Sequence, residues 1–121
     1  MTKRNDPSVQ DLLPLSATVF HILLALSEGE RHGYALKREL ARRTGGKLNP
    51  GPGVLYGSIN KMVEQGLIEE SDERPDRHLD DERRRYYRIT PFGRRVAQAE
   101  AVRMRQLVRL AEETLRLPEP A

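Results

Sequence analysis

The stretch PGVLYGSINKMVEQGLIEES, residues 52–71, combines a helix pattern with the start of a strand. Pro52 suits the first turn of a helix, and Gly66 is a typical helix stop. Apolar residues recur at helical spacing and predict one buried face: Leu55, Ile59, Met62 and Val63. The opposite face is small, polar or charged, with Gly53, Gly57, Asn60, Lys61 and Glu64. Small residues on an outward helix face are unusual unless a partner must approach the backbone closely.

Two further helices are predicted before this stretch. Ser16 is a suitable N-cap for an almost wholly apolar helix that ends near Gly29, and such a helix belongs in the centre of a core. A second helix is expected to start at His32 or Gly33 and to end near residue 44, where two glycines follow. Its surface carries mainly cations, which suit contacts with phosphates: Arg31, Lys37, Arg38, Arg42 and Arg43.

A wing and a long helix are predicted after it. β-forming residues at 67–71 and 85–90 indicate two strands, with a polar, mobile tip over residues 72–84. Thr90 and Pro91 then suit the start of a helix that runs to about residue 116. Its three-four stripe predicts a dimer interface, formed by Ala97, Ala101, Met104, Leu107, Val108, Ala111 and Leu115. Packing of this stripe against the chain's own first helix is the alternative.

The order helix, helix, helix, wing is that of a winged helix-turn-helix. We expect a mainly α fold with a two-stranded β wing and a long C-terminal dimerisation helix. The predicted division is a flexible N-terminal arm over residues 1–14, a DNA-binding domain over 15–90 and the dimerisation helix over 91–117. In such a fold the third helix enters the major groove, where Asn60 suits adenine and Lys61 suits guanine or phosphate.

Composition narrows the possible function. The 121-residue chain has a formal net charge of +3 and no cysteine, which excludes disulfides, thiolate nucleophiles and cysteine-based metal sites. Neither a nucleophile with its base nor metal-ligand spacing nor a phosphate-binding glycine loop is recognisable, so we expect no enzyme, metal site or cofactor. The longest apolar stretch, residues 19–26, is too short to span a membrane, and we expect a cytoplasmic protein without a signal peptide.

Several groups of residues together resemble the PadR family of transcriptional regulators: His32-Gly33-Tyr34, PGVLY at 52–56, EQGLI at 64–68 and YYRIT at 86–90, with Gly93 beyond. The resemblance covers about residues 15–95, and the single C-terminal helix is similar to the family's short branch. It implies a winged-helix DNA reader that dimerises through its C-terminal helices, commonly a repressor relieved by an effector. It places DNA contacts on Tyr34, Pro52, Gly53, Tyr56 and Lys61, with support from Arg85 and Tyr87 in the wing.

We therefore predict a sequence-specific regulator of transcription, a homodimeric repressor on a palindromic operator in double-stranded DNA. A small-molecule effector is compatible with this prediction. The residues expected to contact DNA are Tyr34, Lys37, Pro52, Gly53, Tyr56, Gly57, Asn60, Lys61, Arg85 and Tyr87. Tyr56 lies at the edge of the apolar face, so a partly buried role is an equal alternative. The rival function is a dimeric protein-interaction adaptor, because the third helix carries almost no net charge.

Overall fold

A computed structural model describes residues 8–71 and 85–120 of the chain. After a short 3-10 turn, Gln10–Leu12, the elements are α1 (Ala17–Ser27), β1 (Arg31–His32), α2 (Gly33–Arg43), α3 (Pro52–Glu64), β2 (Ile68–Ser71), β3 (Tyr86–Ile89) and α4 (Pro91–Thr114). The predicted mainly helical fold, with its winged helix-turn-helix and long C-terminal helix, is confirmed. The predicted wing is present as β2 and β3, and its expected tip, residues 72–84, lies outside the described residues.

The sheet has one strand more than the sequence predicted. Its strands are antiparallel in the order β1-β3-β2. β1 pairs Arg31 with Tyr87 and His32 with Tyr86, so the start of α2 is attached directly to the wing. β1 was not predicted because it has only two residues, too few to show an alternating pattern.

Helix α1 lies in the core, as its apolar sequence predicts. The Ser16 hydroxyl accepts a hydrogen bond from the backbone N–H of Val19 at 3.2 Å and begins the helix as expected. The core around it draws on every other helix and on the sheet: Leu36, Leu40, Leu55, Ile59, Met62, Leu67, Ile68, Tyr87 and Val96. Val63 is 39% exposed, against prediction, because it lies about 100° around the helix from Met62.

Residues 8–14 carry apolar side chains that pack against the rest of the chain. Among them, Val9, Leu12 and Leu13 pack against the core cluster. The short 3-10 turn brings this segment against α4. Contacts of these apolar side chains therefore hold residues 8–14 against the core, although prolines lie nearby in the sequence. The division of the chain into an arm, a DNA-binding domain and a dimerisation helix stays a prediction.

The start of α4 lies unusually close to the start of β2. Thr90 is the N-cap, and its hydroxyl accepts from the backbone N–H of Gly93 at 2.9 Å and donates to the carbonyl of Gly66 at 2.6 Å. A Cβ on Gly93 would lie 2.0 Å from the carbonyl oxygen of Leu67. Gly66 itself has a φ of +77°, which lets the chain turn from α3 into β2. Both glycines are therefore required by geometry.

A buried carboxylate fastens the N-terminal segment to α4. Glu100 is 1% exposed and accepts a hydrogen bond from the backbone N–H of Leu15 at 3.2 Å. The guanidinium of Arg103 donates to both of its oxygens, at 2.6 and 3.0 Å. The hydrogen bond from Arg103 and then that from Leu15 lower the pKa of the Glu100 carboxyl, although burial acts in the opposite direction.

Replacing Glu100 by Gln keeps the shape of the side chain and removes its charge. Because the pKa of Glu100 is lower in the folded protein, its contribution is complete above the unfolded pKa and is lost as the pH falls through the folded value. We expect E100Q to lower the free energy of unfolding by about 1–2 kcal/mol at neutral pH. The difference should shrink below about pH 4. Urea denaturation at neutral and acidic pH measures it, and an equal difference at both would contradict this role.

Candidate nucleic-acid interface

The outward face of α3 is open and has few large side chains near its start. Its predicted members are all exposed: Pro52, Gly53, Gly57, Asn60 and Lys61. A Cβ on Gly53 or Gly57 would meet no atom within 4 Å, and neither glycine has a positive φ. Neither packing nor backbone conformation therefore requires glycine at these positions. The open space beside them faces solvent. A helix that enters the major groove needs such space so that its backbone can approach the base edges.

A cleft beside α3 brings residues from separate elements together. It has a volume of about 410 Å³ and is lined by His32, Gly33, Tyr34, Tyr56, Asn60, Arg85 and Tyr87. The predicted DNA contacts among them come from α2, α3 and the wing. All the lining side chains are neutral or cationic, so the cleft suits an anionic partner.

The tyrosines of this cleft differ in their exposure. Tyr34 is 58% exposed and Tyr56 is 44% exposed, whereas Tyr87 is 5% exposed and belongs to the core cluster. Burial raises the pKa of the Tyr87 phenol, and the nearby carboxylate of Glu70 acts in the same direction. Tyr34 and Tyr56 can be reached by a large partner. Tyr87 mainly supports the wing, and its predicted contact with DNA stays a prediction.

Cations near the cleft are held by weak surface contacts. Arg85 forms an exposed ion pair with Glu70 at 3.2 Å. The guanidinium of Arg38 lies 5.8 Å from the centre of the Tyr34 ring. On α2, Lys37 donates a hydrogen bond to the side chain of Asn49 at 2.8 Å. Exposed pairs of this kind contribute little stability, so a phosphate can replace the acceptor at small cost.

The cations at the end of α2 are engaged within the chain instead. Arg42 and Arg43 both donate hydrogen bonds to Glu39 and lower the pKa of its carboxyl to about 2. Arg43 also forms an ion pair with Glu28. The sequence suggested that both arginines were available to phosphates. Their charge is largely balanced by these carboxylates, which makes this end of α2 a poorer phosphate-binding surface than the cleft.

His32 is a site residue whose role the sequence did not indicate. Its Nδ1 accepts a hydrogen bond from the backbone N–H of Ala35 at 3.1 Å, so it is the N-cap of α2. Its ring meets that of Tyr86 edge to face, with 5.3 Å between the centroids. Serine, threonine, aspartate and asparagine are the usual N-caps, and a histidine in this position gives a weak sequence signal. His32 thus joins α2 to the wing.

The described residues also bear on metal binding and membrane insertion. Within residues 8–71 and 85–120, no group of three or more His, Asp or Glu side chains is arranged to hold a metal ion. None of the described helices is both long and apolar enough to cross a membrane. The charged residues expected at the wing tip, among them Arg83 and Arg84, lie outside the described part of the chain.

Comparison with known proteins identifies the family. Residues 22–99 match the Transcriptional regulator PadR-like family. This chain belongs to the PadR-like family. A relative from Mycobacterium tuberculosis, the transcriptional regulator Rv3488, is 34% identical over 100 residues, which are 83% of this chain and 84% of the relative. An uncharacterized 37.1 kDa protein in transposon TN4556 of Streptomyces fradiae is 33% identical over 86 residues, covering 71% of this chain but 22% of that protein's length.

Solved structures share the fold of this PadR-like chain. RosR of H. salinarum has a TM-score of 0.61 and 28% identity, and the match covers 88% of this chain and 100% of that one. A transcriptional regulator from Clostridium thermocellum has a TM-score of 0.66 at 22% identity, with coverage of 82% and 96%. The family and this neighbour are both described as transcriptional regulators. The chain is accordingly a PadR-like DNA-binding regulator with a winged-helix fold.

Gly57 faces open space and Gly93 lies against backbone, so replacement by alanine should have opposite effects on the stability of the PadR-like fold at these two positions. Gly57→Ala adds a methyl group to open space and improves helix propensity, so the free energy of unfolding should rise by about 0.5–1 kcal/mol. Gly93→Ala is the matched control on α4, where the methyl group collides with backbone, and it should lower that free energy by about 1–3 kcal/mol. Thermal and urea denaturation measure both variants. A Gly57→Ala variant that is less stable than the parent would show that glycine serves internal packing there.

Proposed function

We propose that this PadR-like regulator is a repressor that binds a palindromic operator as a homodimer. The observation that carries the proposal is the outward face of α3, where Gly53 and Gly57 leave space that no internal contact uses. Asn60 and Lys61 are exposed on the same helix. The amide of Asn60 suits the adenine edge, and the ammonium of Lys61 suits guanine or a phosphate. These residues would read the operator sequence.

The neighbouring cleft would supply contacts with the DNA backbone. Tyr34 and Tyr56 offer exposed hydroxyl groups, and Arg85 offers a guanidinium whose exposed pair with Glu70 is easily exchanged. Phosphates accept hydrogen bonds from groups of these kinds, and such contacts set orientation without reading sequence. The proposed DNA contacts are therefore those predicted above: Tyr34, Lys37, Pro52, Gly53, Tyr56, Gly57, Asn60, Lys61, Arg85 and Tyr87.

The unpaired face of α4 supports the homodimer. On this helix Gly93, Val96 and Glu100 are buried against the rest of the chain. The same helical spacing continues beyond Glu100 to Met104, Leu107 and Val108, which are 41–54% exposed. Leu115 follows the last residue of α4 in extended conformation and is 57% exposed. A second copy of α4 would remove this surface from water. The proposed interface includes these residues with Ala101 and Ala111, and with Ala97, which already packs partly against the core.

Dimerisation also fits the expected geometry of an operator. Two symmetry-related copies of α3 would read half-sites about one helical turn of DNA apart. A small dimer on duplex DNA blocks access to a promoter, so repression is the proposed outcome. Relief by a small-molecule effector rests on the family resemblance alone, and the cytoplasmic location rests on the sequence alone.

DNA binding can be tested with a duplex selected from a random-sequence library by the immobilised wild-type protein. We expect Lys61→Ala and Gly57→Ala each to weaken binding to that duplex by about tenfold, one by removing a contact and the other by blocking close approach. Arg109→Ala on α4 is the charge-matched control and should bind as the parent does. Fluorescence anisotropy at low and moderate salt measures the affinities.

The selection step separates DNA binding from the adaptor function. If no duplex is enriched, the proposed sequence-specific function is contradicted and a protein partner becomes the better explanation. If a duplex is enriched but Gly57→Ala binds it unchanged, the outward face of α3 is not the surface that approaches the bases.

The dimer has its own test on α4. Val108→Glu places a charge within the exposed apolar stripe, so we expect this variant to sediment as a monomer at concentrations where the parent is a dimer. Gln106→Glu is the matched control, because residue 106 lies about 180° from the centre of the stripe. Analytical ultracentrifugation reads out the masses. A monomeric parent, or a Val108→Glu variant that stays dimeric, would contradict an interface formed by this stripe.

A further inference from the structure

We infer that Gly33 leaves room for the ring of Tyr56 beside the outward face of α3, and that operator affinity depends on this contact. This inference rests on the proposed function. A Cβ on Gly33 would lie 2.5 Å from the hydroxyl oxygen of Tyr56, 2.7 Å from Cε1 and 2.8 Å from Cζ. Optimal carbon contacts are roughly 3.5–4 Å, so any side chain at residue 33 must displace the ring.

Backbone conformation does not explain this glycine. Gly33 is the first residue of α2, is buried, and does not have a positive φ. Alanine is favoured over glycine in helices by about 1 kcal/mol, so a glycine here lowers the intrinsic stability of α2. The close approach of the Tyr56 ring is the feature that requires it. In this respect Gly33 differs from Gly57, around which there is empty space.

The contact lies where α2, α3 and the wing meet. His32, directly before Gly33, is the N-cap of α2 and pairs with Tyr86 of β3. Tyr56 is directly before Gly57 and one helical turn before Asn60. The ring therefore connects the start of α2 to the part of α3 that is proposed to read bases. A binding site requires its contacting groups to be held within about 0.5 Å. A side chain at residue 33 would displace the ring next to Gly57 and Asn60, so the surface proposed to meet the bases should change.

The ring and the hydroxyl group of Tyr56 both lie against Gly33, and the hydroxyl oxygen is the nearest atom. Tyr56 also lines the cleft and is 44% exposed. It can therefore be held by Gly33 and still be reached by DNA, which combines the two alternatives that the sequence left open. Removing the hydroxyl group takes away the nearest atom but leaves Cε1 and Cζ, so Tyr56→Phe should relieve the collision only in part.

A double-mutant cycle tests the contact, with the selected duplex and its scrambled counterpart as probes. We expect Gly33→Ala to weaken specific binding by about tenfold and scrambled binding much less, because non-specific affinity depends mainly on charge. Tyr56→Phe removes the nearest atom but keeps Cε1 and Cζ, so Gly33→Ala should still weaken binding in that background, by less than in the parent. In the Tyr56→Leu background the added methyl group has room, and Gly33→Ala should change affinity by less than about twofold.

Stability provides a second readout that needs no DNA. Gly33→Ala should lower the Tm of the parent and raise that of Tyr56→Leu, because the collision is gone and only the better helix propensity remains. An equal effect of Gly33→Ala in the Tyr56 and Leu backgrounds, in affinity or in Tm, would overturn the inference. Unchanged operator affinity in Gly33→Ala would overturn it too. If the parent selects no duplex while the Tm effect reverses sign, the DNA function fails and the contact between Gly33 and Tyr56 stands.

Discussion

The close approach of the first turn of α4 to the start of β2 joins α3 and the wing to the C-terminal helix. The Thr90 hydroxyl bonds the carbonyl of Gly66, and Gly93 lies against the carbonyl of Leu67 with no space for a Cβ. Gly66 and Leu67 follow α3 after one intervening residue, Gln65. The direction of α4 is therefore fixed relative to the end of α3. In the proposed dimer this connection would determine the distance between the two copies of α3.

Glycines serve distinct purposes around this framework. Gly66 provides a positive φ, and Gly33 and Gly93 admit a neighbouring ring or carbonyl. Gly53 and Gly57 do neither, and the space beside them opens outward. A glycine that lowers helix stability without an internal reason is best explained by an external partner. Close approach to base edges is therefore the physical basis of the proposed function, more than the modest positive charge of the chain.

Much of the fold was predictable because its signals are local. Ser16 and Thr90 cap helices, and Gly66 ends one, through contacts within a few residues. The features that the sequence did not reveal depend on distant partners. Glu100 receives a hydrogen bond from Leu15, 85 positions away, and β1 exists only because β3 lies beside it. Helical periodicity placed the outward residues of α3 correctly, but not the cleft, since the wing and α2 reach it through tertiary packing.

Contact between the outward face of α3 and DNA can be measured by NMR titration of the isotope-labelled chain with the selected duplex. We expect the largest chemical-shift changes on the backbone amides of Gly53 and Gly57 and on the side-chain amide of Asn60. Arg85 in the wing should shift as well, and residues 105–114 of α4 should change little. Shifts confined to α4 or to the paired end of α2, with α3 unaffected, would contradict DNA contact through this face.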